Sequence, residues 1–254
     1  MRWTLLIDGD GHPGWWQMAL DEALLEEAAA RGAGFVRLYQ WAPYALSFGR
    51  HEPALRRYDR ARLEAAGIDT VRRPTGGRAV WHAAELTYAV AAPIGTLGGL
   101  TQSHRRIHET IADALGTLGV TATLAPSGER EHPALGGACF ASAAGGELLV
   151  HGRKLVGSAQ LRRAGALLQH GSLLLAGDQA AVLTYARSPQ NGGGATTLEA
   201  AGGPRTFRET AAALTLRFRE WEGEWSEPGD DFDPTPLVAR HADRYRDPAW
   251  TWRR

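Results

Sequence analysis

The chain reads as an α+β protein, a single domain with a mixed, largely antiparallel sheet flanked by helices. Three observations carry this. Strand-like and helix-like runs are intermixed without the regular alternation of a doubly wound fold. Several strand candidates meet at short turns, as hairpins do. No linker or internal repeat divides the 254 residues, and that length holds one large core.

The elements follow in order from their patterns. Residues 3–7 form a short apolar strand. Residues 17–30 form a helix with Trp16, Leu20, Leu24 and Ala28 on one face and Gly32 to end it. Strands at 35–39 and 45–48 surround the turn residues Ala42 and Pro43. A short helix at 58–66 closes at Gly67, and a strand follows at 68–72. The loop at 72–78 has no periodicity and leads into a strand pair at 79–81 and 86–92. Thr101 or Ser103 caps a helix whose face is Ile107, Ile111, Leu115 and Leu118, stopped by Gly119. Residues 120–124 form a strand, and 126–137 are polar and irregular. Residues 147–150 and 153–160 form a hairpin turning at His151-Gly152, and 164–175 supply another strand. Residues 178–186 are helical and 188–204 are a glycine-rich loop. Thr206 caps a helix carrying Ala211, Leu214, Phe218 and Trp221. Thr235-Pro236 opens the last helix, with proline in the first turn, and Arg246-Asp247-Pro248 ends it.

Composition narrows the function classes. At 44% hydrophobic and 22% charged, the chain is an ordinary globular protein. Zero formal net charge removes the electrostatic case for nucleic acid or an acidic membrane. The Arg-Arg pairs at 56–57, 72–73, 105–106, 162–163 and 253–254 are scattered, offset by acids, and read mostly as solvated faces. One cysteine allows no internal disulfide. The N-terminus lacks the features of a signal peptide, and no apolar run is long enough to span a bilayer. A cytoplasmic protein is expected.

Several motifs fail on inspection. Gly9-Asp10-Gly11-His12-Pro13-Gly14 fits G-x-G-x-x-G, but the next strand ends at Gln40 where a ribose-binding acid belongs, and Pro13 lacks an amide donor. The only lysine precedes Leu155, which rules out a P-loop, and no serine elbow occurs. His104 and His108 lie four apart on a helix, yet no third ligand is near. They read as a polar helix face, and no metal is expected.

Two features remain. Thr75-Gly76-Gly77, flanked by Arg73 and Arg78 and followed by His82, lets backbone amides approach a ligand; a tight structural turn is the alternative. The second feature is the pairing of the only cysteine, Cys139, with the only lysine, Lys154, in a chain whose other basic residues are all arginine. Ammonium is a compact charge whose pKa falls on burial, whereas guanidinium stays protonated. A thiol and an amine on one segment are the parts of an activated nucleophile. A lone cysteine is also simply a small buried hydrophobe, and these two counts do not decide between the readings.

The run Arg72-Arg73-Pro74-Thr75-Gly76-Gly77-Arg78-Ala79-Val80-Trp81-His82, with Glu85-Leu86-Thr87-Tyr88 after it, resembles the signature loop of the biotin/lipoate protein ligase superfamily. Residues 18–25, 47–50, 152–160, 169–174 and 245–250 agree with it, so the likeness covers nearly the whole chain. ATP-dependent lipoate ligases typically carry a third glycine where Arg78 stands; the Asp usual after the histidine in both ligases and transferases is replaced here by Ala83. Ala138-Cys139-Phe140 ahead of the lysine strand instead resembles the octanoyltransferases of the LipM type, whose cysteine precedes the lysine.

The resemblance implies transfer of octanoyl from acyl carrier protein, through a Cys139 thioester, to a lysine of a lipoyl domain such as glycine cleavage H protein or a dehydrogenase E2 subunit. It implies Cys139 and Lys154 as catalytic residues and no cofactor. Arg50, Arg73, Gly76, Gly77, Arg78, His82, Gly157, Ser158, Ala159, His170 and Gly171 would bind substrate. The alternatives it leaves are an ATP-dependent lipoate-protein ligase, an octanoyl amidotransferase between lipoyl domains, and a non-catalytic lipoyl-domain-binding protein.

Overall fold

A computed structural model describes residues 1–126, 145–188, 194–202, 206–229 and 232–253. Cys139 lies outside the described residues, as does most of the segment expected to be irregular.

Eleven strands are described: β1 (Arg2–His12), β2 (Gly34–Trp41), β3 (Ala45–Phe48), β4 (Asp69–Arg72), β5 (Val80–His82), β6 (Glu85–Pro93), β7 (Thr123–Leu124), β8 (Leu148–Val150), β9 (Arg153–Arg163), β10 (Ala166–Leu174) and β11 (Glu224–Ser226). Eight form one sheet in the order β11-β1-β2-β6-β10-β9-β8-β7. Only β11-β1 and β1-β2 pair in parallel, so the sheet is mixed and mainly antiparallel. β9 and β10 turn at Ala164-Gly165, and β8 and β9 at His151-Gly152; all four residues have positive φ, as two-residue hairpins with matched twist require. Residue 164 therefore belongs to a turn rather than to the strand expected from 164.

The other three strands form a separate sheet, β4-β3-β5. This corrects one expectation: β5 does not pair with β6. Nor does β3 pair with β2 across Ala42-Pro43; in both places the chain passes from one sheet to the other. Period-two alternation reports which face is buried, not which neighbour a strand takes.

Helices cover both faces of the large sheet. The helix α1 (Gly14–Arg31) packs Met18, Leu20, Leu24, Leu25 and Ala28 on one face, against Leu6, Tyr39, Ala89, Ala91 and Leu168. Its C-terminus ends at Gly32, in the left-handed conformation. The Gly14 N–H donates to the Asp69 carboxylate at 2.5 Å. An internal anion thus occupies the helix N-terminus where a dinucleotide phosphate would sit. The short helices α2 (Ala54–Arg57) and α3 (Arg60–Ala65) replace the single helix expected at 58–66, because Asp59 stops one and caps the next through Arg62 N.

On the opposite face lie α4 (Leu100–Thr117), α5 (Leu198–Gly202) and α6 (Phe207–Phe218). Ile107, Ile111, Leu115, Leu214 and Phe218 meet Leu5, Val36, Leu86 and Val90 there. α4 is capped by neither Thr101 nor Ser103: Gly99 N–H donates to the Gln102 side chain, and Ser103 Oγ donates back to Leu100 O. Thr206 does cap α6, accepting from Glu209 N–H while the Glu209 carboxylate accepts from Thr206 N–H. The expected last helix is two short ones, α7 (Thr235–Ala239) and α8 (Ala242–Arg246), and a further helix, α9 (Pro248–Thr251), follows its expected end.

Arg72 joins the small sheet to the C-terminal end. Fully buried, it donates to the carbonyls of Gly49, Arg50, Trp250, Thr251 and Arg253. Burial, with Arg253 nearby, lowers its pKa to about 10, so it stays charged at neutral pH. The Arg72-Arg73 pair is therefore interior, not a solvated face.

Candidate active site

A cleft of about 400 Å³, mouth included, lies between α1, the glycine loop at 73–78 and the α1-facing side of β6, β9 and β10. Eight of the residues expected at the site line it: Arg73, Gly77, His82, Gly157, Ser158, Ala159, His170 and Gly171. Strand register explains the grouping. Gly157, Ser158 and Ala159 on β9 lie opposite Ser172, Gly171 and His170 on β10, which in turn face Thr87, Tyr88 and Ala89 on β6. A Cβ on Gly171 would lie 2.6 Å from Gly157 O and 2.8 Å from the Tyr88 ring, so only glycine fits beneath this floor.

Arg50, Gly76 and Arg78 do not line the cleft among the described residues, but they build its roof. Arg50 N–H donates to Thr75 O at 2.7 Å. Arg73 donates to Gly76 O at 3.1 Å and Arg78 O at 2.9 Å, and also to Ser47 O and Oγ at 2.9 and 2.6 Å. Three loop carbonyls are thereby turned to donors inside the protein. Carbonyl and N–H point oppositely across a trans peptide, so the Gly76 and Gly77 N–H groups face away from those donors. Neither has an acceptor among the described residues. Gly77 has φ of 91°, a conformation glycine adopts without strain.

Two polar chains back this roof. His82 Nε2 lies 2.5 Å from Ser47 Oγ, and its Nδ1 lies 2.7 Å from Glu85 Oε1. That oxygen also accepts from Thr87 Oγ1 and Ser172 Oγ, while Trp41 Nε1–H donates to Thr87 and the Trp41 ring stacks on His82 at 3.8 Å. Burial lowers the His82 pKa, and the Glu85 carboxylate opposes the shift. The second chain runs from Thr75 Oγ1 to His170 Nε2 at 2.7 Å and from His170 Nδ1 to Asp21 Oδ2 at 3.0 Å. Arg37 NH1 and Tyr39 OH both donate to Asp21 at 2.9 Å.

Asp21, Glu85, Ser47, Thr75, Trp41 and Thr87 were not among the residues expected to act. Asp21 carried a legible signal: it shares the face of α1 with Met18 and Leu25, where an acid is rarely buried without partners. Glu85 follows His82 by three residues, a spacing that gave no sign of a pair until the chain turned between sheets.

Lys154 is buried at 2% exposure, its ammonium 2.7 Å from Glu147 Oε1. Its own backbone is clasped by the 194–196 segment, with Lys154 N–H donating to Gly194 O and Lys154 O accepting from Thr196 N–H. It sits three residues before Gly157 on β9, a step of about 10 Å along the strand, and it is not among the described residues lining the cleft.

On the α4 side of β9, His108 is fully buried, 2.6 Å from Gly146 O and 3.0 Å from both Tyr88 OH and Ser158 Oγ. His104 lies 3.1 Å from Ser158 Oγ. The pair expected on a polar helix face is thus a buried network behind Ser158. Burial, with His104 and Lys154 nearby, lowers the His108 pKa to about 3. Among the described residues one trio has metal-ligating atoms close together, Glu22, Glu26 and His241. Arg163, Arg244 and Tyr245 already hold the Glu22 carboxylate, and buried carboxylates saturated by cations do not need a metal. No helix among the described residues is long and apolar enough to cross a membrane.

Known proteins resemble the chain in sequence and in fold. The Octanoyltransferase LipM of Kyrpidia tusciae is 38% identical over 248 residues, covering 90% of each chain. That of Symbiobacterium thermophilum is 37% identical over 249 residues, covering 90% of this chain and 89% of its own. Among solved structures, a lipoate-protein ligase A bound with ATP superposes with a TM-score of 0.81 at 21% identity, covering 99% of both chains. A bi-partite lipoate protein ligase from Thermoplasma acidophilum gives 0.75 at 19%, covering 98% of this chain and 95% of its own. These structures share the fold. The sequence pattern of the lipoyl protein ligase A/B catalytic domain matches residues 13–206. That match spans most of the elements that build the cleft, and with relatives well above 30% identity along nearly the full length, the chain belongs to the lipoyl protein ligase A/B catalytic domain family.

Proposed function

We propose that the chain is an octanoyltransferase of lipoate biosynthesis, moving octanoyl from acyl carrier protein through a Cys139 thioester to a lysine of a lipoyl domain. The observation that carries this reading is the roof of the cleft, where two adjacent N–H groups have no acceptor among the described residues while the carbonyls of Thr75, Gly76 and Arg78 are held by donors. Such a pair fits an acyl oxygen that gains negative charge during transfer. The names of the curated relatives, Octanoyltransferase LipM, support the acyl group and the reaction class.

The chemistry runs in two exchanges. The Cys139 thiolate attacks the donor thioester, forming an Sγ–acyl bond as the donor sulfur leaves and takes a proton. One thioester replaces another at nearly equal energy, so no nucleotide is required. The acceptor lysine then attacks the same carbon, the C–N bond forms, the Sγ–acyl bond breaks, and the amine proton is passed on. Formation of the amide drives this step. A nearby cation lowers a thiol's pKa from about 8.5 toward neutrality, and Lys154 is the basic group assigned that role. Its ammonium also favours the tetrahedral oxyanion, and its neutral form takes the proton from the incoming amine.

The experiment is transfer from octanoyl-carrier protein to an apo lipoyl domain without ATP, followed by mass spectrometry. The expected result is octanoylated lipoyl domain with wild-type protein and none with Cys139→Ser. A product that appears only with ATP and free lipoate identifies a ligase instead. Product made from an octanoylated lipoyl domain, but not from carrier protein, identifies an amidotransferase. Lys154→Arg keeps the charge and loses proton exchange, so transfer should fall about a hundredfold while the fold survives; wild-type kinetics would make Lys154 a structural cation.

A further inference from the structure

Each polar chain behind the cleft contains the same four parts: a buried arginine, a carboxylate, an imidazole and a hydroxyl. In one they are Arg73, Glu85, His82 and Ser47; in the other, Arg37, Asp21, His170 and Thr75. All eight residues are at most 5% exposed.

Charge fixes the protonation of such a set. Arginine stays cationic, and donors converge on each carboxylate as they do on an anion, although Glu85 Oε2 has no partner among the described residues. Within each set the two charges sum to zero; the partly exposed Asp8 also lies 3.4 Å from Arg37 NH2 and makes no contact with His170 among the described residues. An imidazolium would add an unbalanced positive charge in a dry interior, which is strongly unfavourable. Each histidine is therefore neutral and carries one ring proton. A carboxylate only accepts, so that proton must sit on Nδ1, beside Glu85 or Asp21. Nε2 is then an acceptor, and the hydroxyl must donate to it. Ser47 Oγ, having given its proton to His82, is left to accept from Arg73, as it does.

The direction of every bond follows, and both chains end on the glycine loop. One runs through Arg73 to the carbonyls of Gly76 and Arg78. The other ends on Thr75, whose own carbonyl is held by Arg50 N–H. We propose that Asp21 and Glu85 are positioning residues: each holds its pocket histidine as the Nδ1–H tautomer, so that Thr75 and Ser47 donate to Nε2 and the loop is locked with the Gly76 and Gly77 amides toward the cleft. The catalytic part of this inference rests on the proposed acyl transfer; the tautomers do not.

The test has two arms. Nitrogen-15 NMR of the imidazole rings at neutral pH, with peaks assigned from His82→Gln and His170→Gln, reads the tautomers directly. The expected result is a neutral ring protonated at Nδ1 for both residues. A ring protonated at Nε2, or at both nitrogens, overturns the proposal. The second arm compares Thr75→Val with Thr75→Ser, which leave the Asp21–Arg37 pair intact. Valine should lower kcat for octanoyl transfer about tenfold or more, because a displaced loop misaligns its amides, with KM for the donor nearly unchanged. Serine should restore it to within about threefold of wild type. Equal kcat in wild type and Thr75→Val, or a loss that serine does not repair, overturns the positioning role. The NMR arm reads out even in a chain that transfers nothing, so failure of the relays and failure of the proposed activity are distinguishable.

Discussion

Lowering the pH should destabilise this protein through His108, and the cost can be worked out. The imidazole is fully buried between Tyr88, Ser158, His104 and the Gly146 carbonyl, with the Lys154 ammonium near, and its pKa falls from the ordinary 6.5 to about 3. The folded pKa lies below the unfolded one, so between those values the unfolded chain binds a proton that the folded chain does not. Stability is then fully present above about pH 6.5 and declines as pH falls. At pH 5 the unfolded state gains RT ln[(1 + 10^1.5)/(1 + 10^−2)], about 2 kcal/mol, and almost nothing at pH 7.5. The figure depends on the unfolded pKa, since any folded value below about 4 leaves the ring neutral at pH 5. With an m-value near 3 kcal/mol per molar urea, the midpoint should fall by about 0.7 M. His82 and His104, also lowered by burial, add to the slope. Comparison with His108→Gln isolates the one residue. Urea unfolding at the two pH values should show about 2 kcal/mol less acid destabilisation in the variant. Equal losses in both proteins would refute the reasoning.

Two further substitutions probe the frame around the cleft. A Cβ on Gly49 would fall on the Gly77 carbonyl, so Gly49→Ala should shift the glycine loop and cut transfer about a hundredfold, measured by steady-state kinetics; an unchanged rate would mean the loop does not set the geometry. Arg72→Met removes five hydrogen bonds to the carbonyls of Gly49, Arg50 and the C-terminal residues Trp250, Thr251 and Arg253. It should cost about 3–5 kcal/mol in urea unfolding, because those carbonyls and the space around them stay buried; a loss below about 1 kcal/mol would contradict the structural role assigned to it.

What could be read from the sequence was decided by local chemistry. The Gly32 stop of α1, the His151-Gly152 turn and the Thr206 cap depend on neighbours within a few residues, and each forms where expected. The split into two sheets could not be read this way, because β3 and β5 keep the same alternation whichever strand they pair with. β11 is three residues long with only its central one half-buried, so it carries no pattern at all. At the cleft, the glycines and basic residues of the loop read equally as a tight turn, and it was the likeness of residues 72–88 to a known signature loop that marked them. The burial of Asp21 could be read from its helix face but its partner could not, since it meets His170 across 149 residues of sequence. His108 looked like a surface residue for the same reason: the carbonyl that accounts for its burial belongs to Gly146, 38 residues away.

The central claim concerns a covalent bond on one sulfur. Intact protein mixed with octanoyl-carrier protein, without nucleotide or acceptor, should gain the mass of one octanoyl group at Cys139, and the apo lipoyl domain should then remove it. Transfer to the lipoyl domain at the wild-type rate by a Cys139→Ser protein that never carries that mass would contradict the account.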